Sequence, residues 1–102
     1  MKKILTWLKP TWEWLHLWNY FWAFKPFLDL AKGNIAYMFL ADYHSLTSVH
    51  NKENLQKFKK RMLIEYFSLI PEDSKIVVYE QSKVKNINNM TWILSSVTPY
   101  SL

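Results

Sequence analysis

His16 and Asn19 stand three residues apart, the spacing that carries an imidazole and a carboxamide on one turn of a helix. They lie in the segment TWLKPTWEWLHLWNY, Thr6 to Tyr20, which follows a short apolar run ending at Leu5. In a parallel sheet, ligands sit beyond the carboxyl ends of the strands. A helix starting there adds free N–H groups and the positive end of its dipole, so the anion this pattern suits is phosphate. A histidine alone is usually an ordinary surface residue. The case for His16 rests on what surrounds it.

The elements that would position this segment can be read from hydropathy. Lys3 to Trp7 is a β-leaning run, and Leu8 to Glu13, with Pro10, is a loop. A helix is expected from Leu15 or His16 to about Ala31, kinked or broken at Lys25–Pro26. Lys32-Gly33-Asn34 is a turn. Ile35 to Ala41 is almost continuously apolar, as a strand buried on both faces should be. Asp42 to Asn51 reads as a polar loop. Lys52 to Ile70 is an amphipathic helix with Asn51 as N-cap, Leu55, Phe58, Met62, Tyr66 and Leu69 on one face, and Pro71 as its stop. Lys75 to Glu80 is a third strand, and Asn86 to about Val97 a last helix before Pro99. The order β-α-β-α-β-α, without internal repeats, predicts a Rossmann-like α/β domain with a parallel sheet. The helix from Lys52 should pack on that sheet through Phe58, Met62 and Tyr66. No closing element follows the last helix, so the domain reads as truncated.

The chain has 102 residues, half of them apolar, enough for one modest core. There is no cysteine, so thiolate metal sites and a disulfide framework are excluded, which suits a reducing cytoplasm. Thirteen basic against eight acidic residues leave a charge of +5, which favours polyanionic partners. No apolar run reaches the ~18 residues of a membrane span. The start, Met1-Lys2-Lys3, imitates a signal peptide, but Lys9, Pro10 and Glu13 break the apolar stretch behind it.

Four collinear segments resemble one family. The tryptophanyl-tRNA synthetases open with a strand and then T-G-x-x-P-T-G-x-L-H-L-G-N-Y-x-G-A. This chain has TWLKPTWEWLHLWNYFWA, matching at Thr6, Pro10, Thr11, Leu15, His16, Leu17, Asn19, Tyr20 and Ala23. His16-Leu17-Trp18-Asn19 falls where class I synthetases carry their "HIGH" signature. ADYHSLT, VVYEQSKV and TWILSSVTPY are similar to the family's A-D-x-H-A-L-T, F-x-Q-S-x-V and W-x-L-x-x-x-T-P-x stretches. A tyrosyl-type synthetase shares the fold and the "HIGH" signature; the second and third segments favour the tryptophan branch.

The resemblance implies a class I catalytic-domain fragment of a tryptophan–tRNA ligase, covering 1–102. Its substrates would be ATP, with Mg2+ accompanying it, L-tryptophan and tRNA(Trp). The tryptophan carboxylate would attack the α-phosphate and release pyrophosphate, and a 3′-terminal ribose hydroxyl would then take the acyl group. Lys9, Pro10, Thr11, Trp18 and Asn19 are implied in ATP binding, with His16 and Asn19 as the catalytic pair. Trp7, Asp42, His44 and Gln81 are implied on the amino-acid side of the cleft. No protein metal site is expected. The family suggests a cytoplasmic homodimer with no membrane association. The family's K-M-S-K-S loop has no counterpart here, nor do its later indole-selecting and anticodon-binding parts, so the chain as written is expected to be inactive.

Simpler readings compete at several positions. Asp42 and His44 could be a capping pair in a polar loop. His50 reads as solvated, and the Lys57 to Arg61 run as a solvated helix face. Tyr37, Phe39, Tyr66 and Phe67 read as core, and packing accounts for Trp92.

One compositional anomaly remains. A chain of this length should hold about 7 glycines; it has 1 glycine and 6 tryptophans. Trp7, Trp12, Trp18 and Trp22 each fall on a family glycine, and Trp14 on a one-residue insertion. Glycine is needed where backbone approaches phosphate or takes positive φ. The tryptophans are either a real aromatic patch, an engineered change, or glycines miswritten by reading UGA codons with the wrong genetic code. The last reading restores an ordinary composition and is preferred. The first would make the chain a non-enzymatic membrane-surface protein with a basic, tryptophan-rich N-terminus.

Overall fold

The computed structural model describes residues 1–11 and 15–99. Three parallel strands, β1 (Lys3–Leu8), β2 (Ile35–Leu40) and β3 (Ile76–Glu80), lie in the order β1-β2-β3. Leu5 pairs with Tyr37 and Tyr37 with Val77; two residues on, Trp7 pairs with Phe39 and Phe39 with Tyr79. Between β1 and β2 come α1 (Leu17–Asn19), a π-turn (Tyr20–Phe24) and α2 (Lys25–Ala31). Between β2 and β3 come α3 (Asp42–Ser45) and α4 (Lys52–Leu69). A 3-10 turn (Gln81–Lys83) and α5 (Ile87–Val97) follow β3. The predicted Rossmann-like alternation is therefore present.

Strand alternation decides where the core lies. Ala36, Met38 and Leu40 on β2 are fully buried, and Ile4, Leu8, Ile76 and Val78 flank them on the same face. Phe24, Phe27 and Ala31 pack on that face beside Tyr66 of α4, with Met62 half-buried next to it. Phe24 and Tyr66 meet edge-on, centroids 4.6 Å apart. Burying a side chain as large as Phe24, Phe27 or Met38 contributes roughly 1.5–3 kcal/mol. The other face of the sheet carries Leu5, Trp7 and Val77 in the open, with Phe39 stacked on Tyr79 at 5.7 Å.

Local chemistry sets the boundaries. Gly33 takes φ +73 in the turn before β2, where a side chain would be strained. Asn51 caps α4 by accepting the Asn54 N–H at 3.1 Å. The expected break at Lys25–Pro26 takes another form. Lys25 N–H bonds to the Tyr20 carbonyl, a π-type closure, and Pro26 then enters the first turn of α2, where its missing N–H costs nothing.

Five expectations need correction. β2 is buried on one face only, and Tyr37 and Phe39 on its other face are half-buried and lie outside the core cluster. Asp42 does not begin a loop; it opens the helical turn α3. Phe67 is 57% exposed, because it lies on the outer side of α4. Trp92 is 77% exposed, so packing within this chain does not account for it. The Lys57–Arg61 run is not uniformly solvated, since Lys59 is buried.

Candidate functional site

The carboxyl ends of the strands gather one group of polar side chains. The Ala41 N–H bonds to the Leu8 carbonyl at 2.7 Å, which carries the β1–β2 pairing one step past the strands. β1 therefore delivers Trp7 and Lys9 beside α3. Lys9 Nζ donates to Thr47 Oγ1 and to Ser48 Oγ, both at 3.1 Å, so its ammonium spans the gap between the β1 loop and the segment after α3. His44 on α3 meets the Trp7 indole edge-on, with ring centroids 5.6 Å apart. Pro10 is fully buried, and Thr11 is half-buried with its N–H on the Lys9 carbonyl at 2.9 Å.

Asp42 is the anchor of α3. Its Oδ1 accepts the N–H groups of Tyr43 at 3.1 Å and Ser82 at 3.0 Å. Its Oδ2 accepts the Ser82 hydroxyl and Lys59 Nζ, the latter at 3.0 Å. Lys59 Nζ also reaches Glu80 Oε2 at 2.7 Å. Asp42 is 5% exposed and Lys59 7%. Burial by itself would raise the Asp42 carboxyl, but the hydrogen bonds from Ser82 and Lys59 outweigh it and hold the group below the usual carboxylate range. Burial opposes charge on Lys59 too, and Glu80 and Asp42 reverse that, leaving the ammonium above its usual value.

Lys59 was missed from the sequence, although a signal was there. It lies four residues after Leu55, three before Met62 and seven before Tyr66, which puts a lysine on the apolar stripe of α4. Two carboxylates close strands β2 and β3, at Asp42 and Glu80. A buried lysine needs such partners.

Gln81 begins the 3-10 turn directly after Glu80. Its Oε1 is buried and has no hydrogen-bond partner among the described residues. Such an acceptor is costly to leave unpaired, and active clefts are where such groups recur.

The signature residues stand apart from this group. His16 precedes α1 in an extended conformation and accepts the Tyr20 N–H on its carbonyl at 3.1 Å. With Leu15, Leu17 and Tyr20 it lines a cavity of about 250 Å3 bounded by Leu69, the last residue of α4. The Leu15 N–H is donated to Glu65 of α4 at 2.9 Å. Asn19 ends α1, exposed. Trp18 lies on the solvent side, its ring 5.2 Å from that of Trp22. Trp12 and Trp14 lie outside the described residues. The structure thus unites Trp7, Lys9, Asp42, His44 and Gln81, and leaves Trp18 and Asn19 on α1 with His16 just before it.

Among the described residues, no group of three or more histidine, cysteine, aspartate or glutamate side chains could hold a metal ion. Nor, among them, is any helix long and apolar enough to cross a membrane.

This geometry has known counterparts. The profile of the family described as tRNA synthetases class I (W and Y) matches residues 2–102. The tryptophan–tRNA ligase of Fusobacterium nucleatum is 37% identical over 102 residues, covering 100% of this chain and 31% of that protein. The ligase of Campylobacter jejuni is 36% identical over 100 residues, covering 98% and 31%. A crystal structure of tryptophanyl-tRNA synthetase from Campylobacter jejuni, complexed with ADP and tryptophan, superposes with a TM-score of 0.86 at 36% identity, covering 96% of this chain and 30% of that one. The chain therefore spans a little under a third of the length of the relatives it matches.

Proposed function

Because the chain belongs to the class I tRNA synthetases of the tryptophan and tyrosine group, we propose that it carries the N-terminal part of the catalytic domain of a tryptophan–tRNA ligase. The observation that carries this reading is the fold match, at 36% identity, to a synthetase complexed with ADP and tryptophan. The matched relatives are named for tryptophan, which favours that branch over the tyrosyl one.

The reaction joins the tryptophan carboxylate to the α-phosphate of ATP, with loss of pyrophosphate, and then passes the acyl group to a ribose hydroxyl of tRNA(Trp). Catalysis of the first step is positioning and charge stabilisation at phosphate. Lys9 would turn its ammonium from the Thr47 and Ser48 hydroxyls to a phosphate oxygen. Pro10 and Thr11 would shape the nucleotide loop. Trp18 and Asn19 occupy positions that approach the nucleotide, and His16 would contact phosphate in the transition state. Asp42, His44 and Gln81, with position 7, would frame the amino-acid side. Mg2+ would enter with ATP, held by phosphate oxygens and water. The cytoplasm is the compartment that suits such an enzyme and a chain without cysteine. A homodimer is supported by α5, which exposes Met90, Trp92, Ile93, Leu94 and Val97.

The test is a chimera in which this chain, with glycine at positions 7, 12, 18 and 22, replaces the matching third of the Campylobacter jejuni ligase. ATP–pyrophosphate exchange should depend on tryptophan and not on tyrosine. A folded chimera that exchanges with neither, or with tyrosine alone, would refute the proposal.

A further inference from the structure

Lys59 lies on α4, buried against the carboxylates of Asp42 and Glu80. We infer that Lys59 is a positioning residue that sets the amino-acid side of the cleft by clamping the carboxylates of Asp42 and Glu80 together. The inference rests on the ligase reading only for what the cleft binds.

The two carboxylates close neighbouring strands, Asp42 just past β2 and Glu80 at the end of β3. Lys59 Nζ reaches both, at 3.0 Å and 2.7 Å. Without that ammonium, two negative charges would share a largely buried space and separate. Asp42 is also the hinge pin of the cleft wall. It holds the start of α3 through the Tyr43 N–H and the start of the 3-10 turn through the Ser82 N–H and hydroxyl. α3 carries His44 against Trp7, and the residues just after it hold Lys9 through Thr47 and Ser48. The 3-10 turn carries Gln81. The elements that carry His44 and Gln81 therefore hang from one carboxylate, against Trp7 on β1, and Lys59 sets where that carboxylate stands.

A purely structural lysine would affect stability and leave the native cleft unchanged. The two cases separate by NMR of the ligand-free 102-residue chain. In Lys59→Met, the Trp7–His44 ring cross-peaks should vanish, the His44 ring resonances should shift, and the Tyr43 and Ser82 amides should move. Amides of β1 and α2 should stay in place. Lys59→Arg, which keeps a cation able to bridge two carboxylates, should restore the wild-type pattern. Should Lys59→Met not fold, Glu80→Gln decides, because it releases one arm of the clamp at a residue already partly in water. It should displace the same resonances in the same direction by less. Unchanged His44 and Ser82 resonances in a folded Lys59→Met, or in Glu80→Gln when that variant stands in, would overturn the inference. So would failure of Lys59→Arg to restore them. The exchange assay on the chimera reports on the ligase reading alone, so the two failures cannot be confused.

Discussion

The imidazole of His44 meets the indole of Trp7 at 86°, ring centroids 5.6 Å apart, across the junction of β1 and α3. Trp7 is 54% exposed, so this contact is surface packing more than support for the core. Trp7→Gly should therefore cost only about 1–2 kcal/mol, from the lost aromatic pair and the freer backbone of a strand glycine. Urea unfolding measures this. A loss of about 4 kcal/mol would mean that the indole is a core element.

Two lysines in one run should behave differently. Lys59→Met leaves a buried carboxylate without its ammonium and should cost about 3 kcal/mol. Lys60→Met, one residue on and exposed, should stay within about 0.5 kcal/mol. Equal losses for both would contradict the burial of Lys59.

Stability should fall at both pH extremes for identifiable reasons. Asp42 is held below its usual value of 3.8, so its contribution is present above that pH and is lost as acid protonates the folded carboxyl. Lys59 is held above 10.5, and burial, helped by the nearby Glu65 charge, pushes the Tyr66 hydroxyl from 10.0 up to about 12. Both contributions are intact below pH 10 and are lost as pH rises, the tyrosine's by about 12. Circular dichroism across pH should show a plateau with an acid limb below pH 4 and an alkaline limb from 10 to 12. Tyr66→Phe should reduce the alkaline limb, and an unchanged limb would remove Tyr66 as its cause.

The 102-residue chain as written should form no aminoacyl-adenylate. It contains no K-M-S-K-S loop, which the proposed function needs on the second side of the phosphates, and position 18, proposed to approach the nucleotide, carries an indole. Tryptophan-dependent ATP–pyrophosphate exchange clearly above background would contradict this.

The gene offers a test that needs no folded protein. If the N-terminal indoles are decoding errors, the codons for Trp7, Trp12, Trp14, Trp18 and Trp22 should all be UGA, and that for Trp92 UGG. In the structure Trp7, Trp18 and Trp22 all project outward, as bulky groups do on sites that packing left no room to bury. Trp92 is exposed as well, so exposure alone does not separate it; its place in the W-x-L-x-x-x-T-P-x segment does. UGG at Trp12 and Trp18 would end the decoding account. It would also return weight to a real aromatic surface that includes the exposed Trp18, Phe21 and Trp22, detectable as a fluorescence blue shift on anionic vesicles.

Strands and helices of this chain were legible because their signals are local. The unbroken apolar run of β2, the three-and-four spacing from Leu55 to Leu69, Asn51 as cap and Gly33 as turn each act within a few residues. The candidate site was legible as motif segments, because spacing survives even where tryptophan stands on a glycine position. Partnership across the chain was not legible. Lys59 reads as one lysine among several until α4 crosses behind Asp42 and Glu80, 17 and 21 residues away. Phe67 reads as core because it is large and apolar, and Trp92 reads as packed because the resembled family carries an aromatic there, yet both are exposed. Sequence determined which segments become helix or strand, since backbone preference and hydrophobic period are short-range. Only the tertiary structure decided which charges are buried together and which aromatics stay in water, because those outcomes depend on neighbours that the chain brings together from a distance.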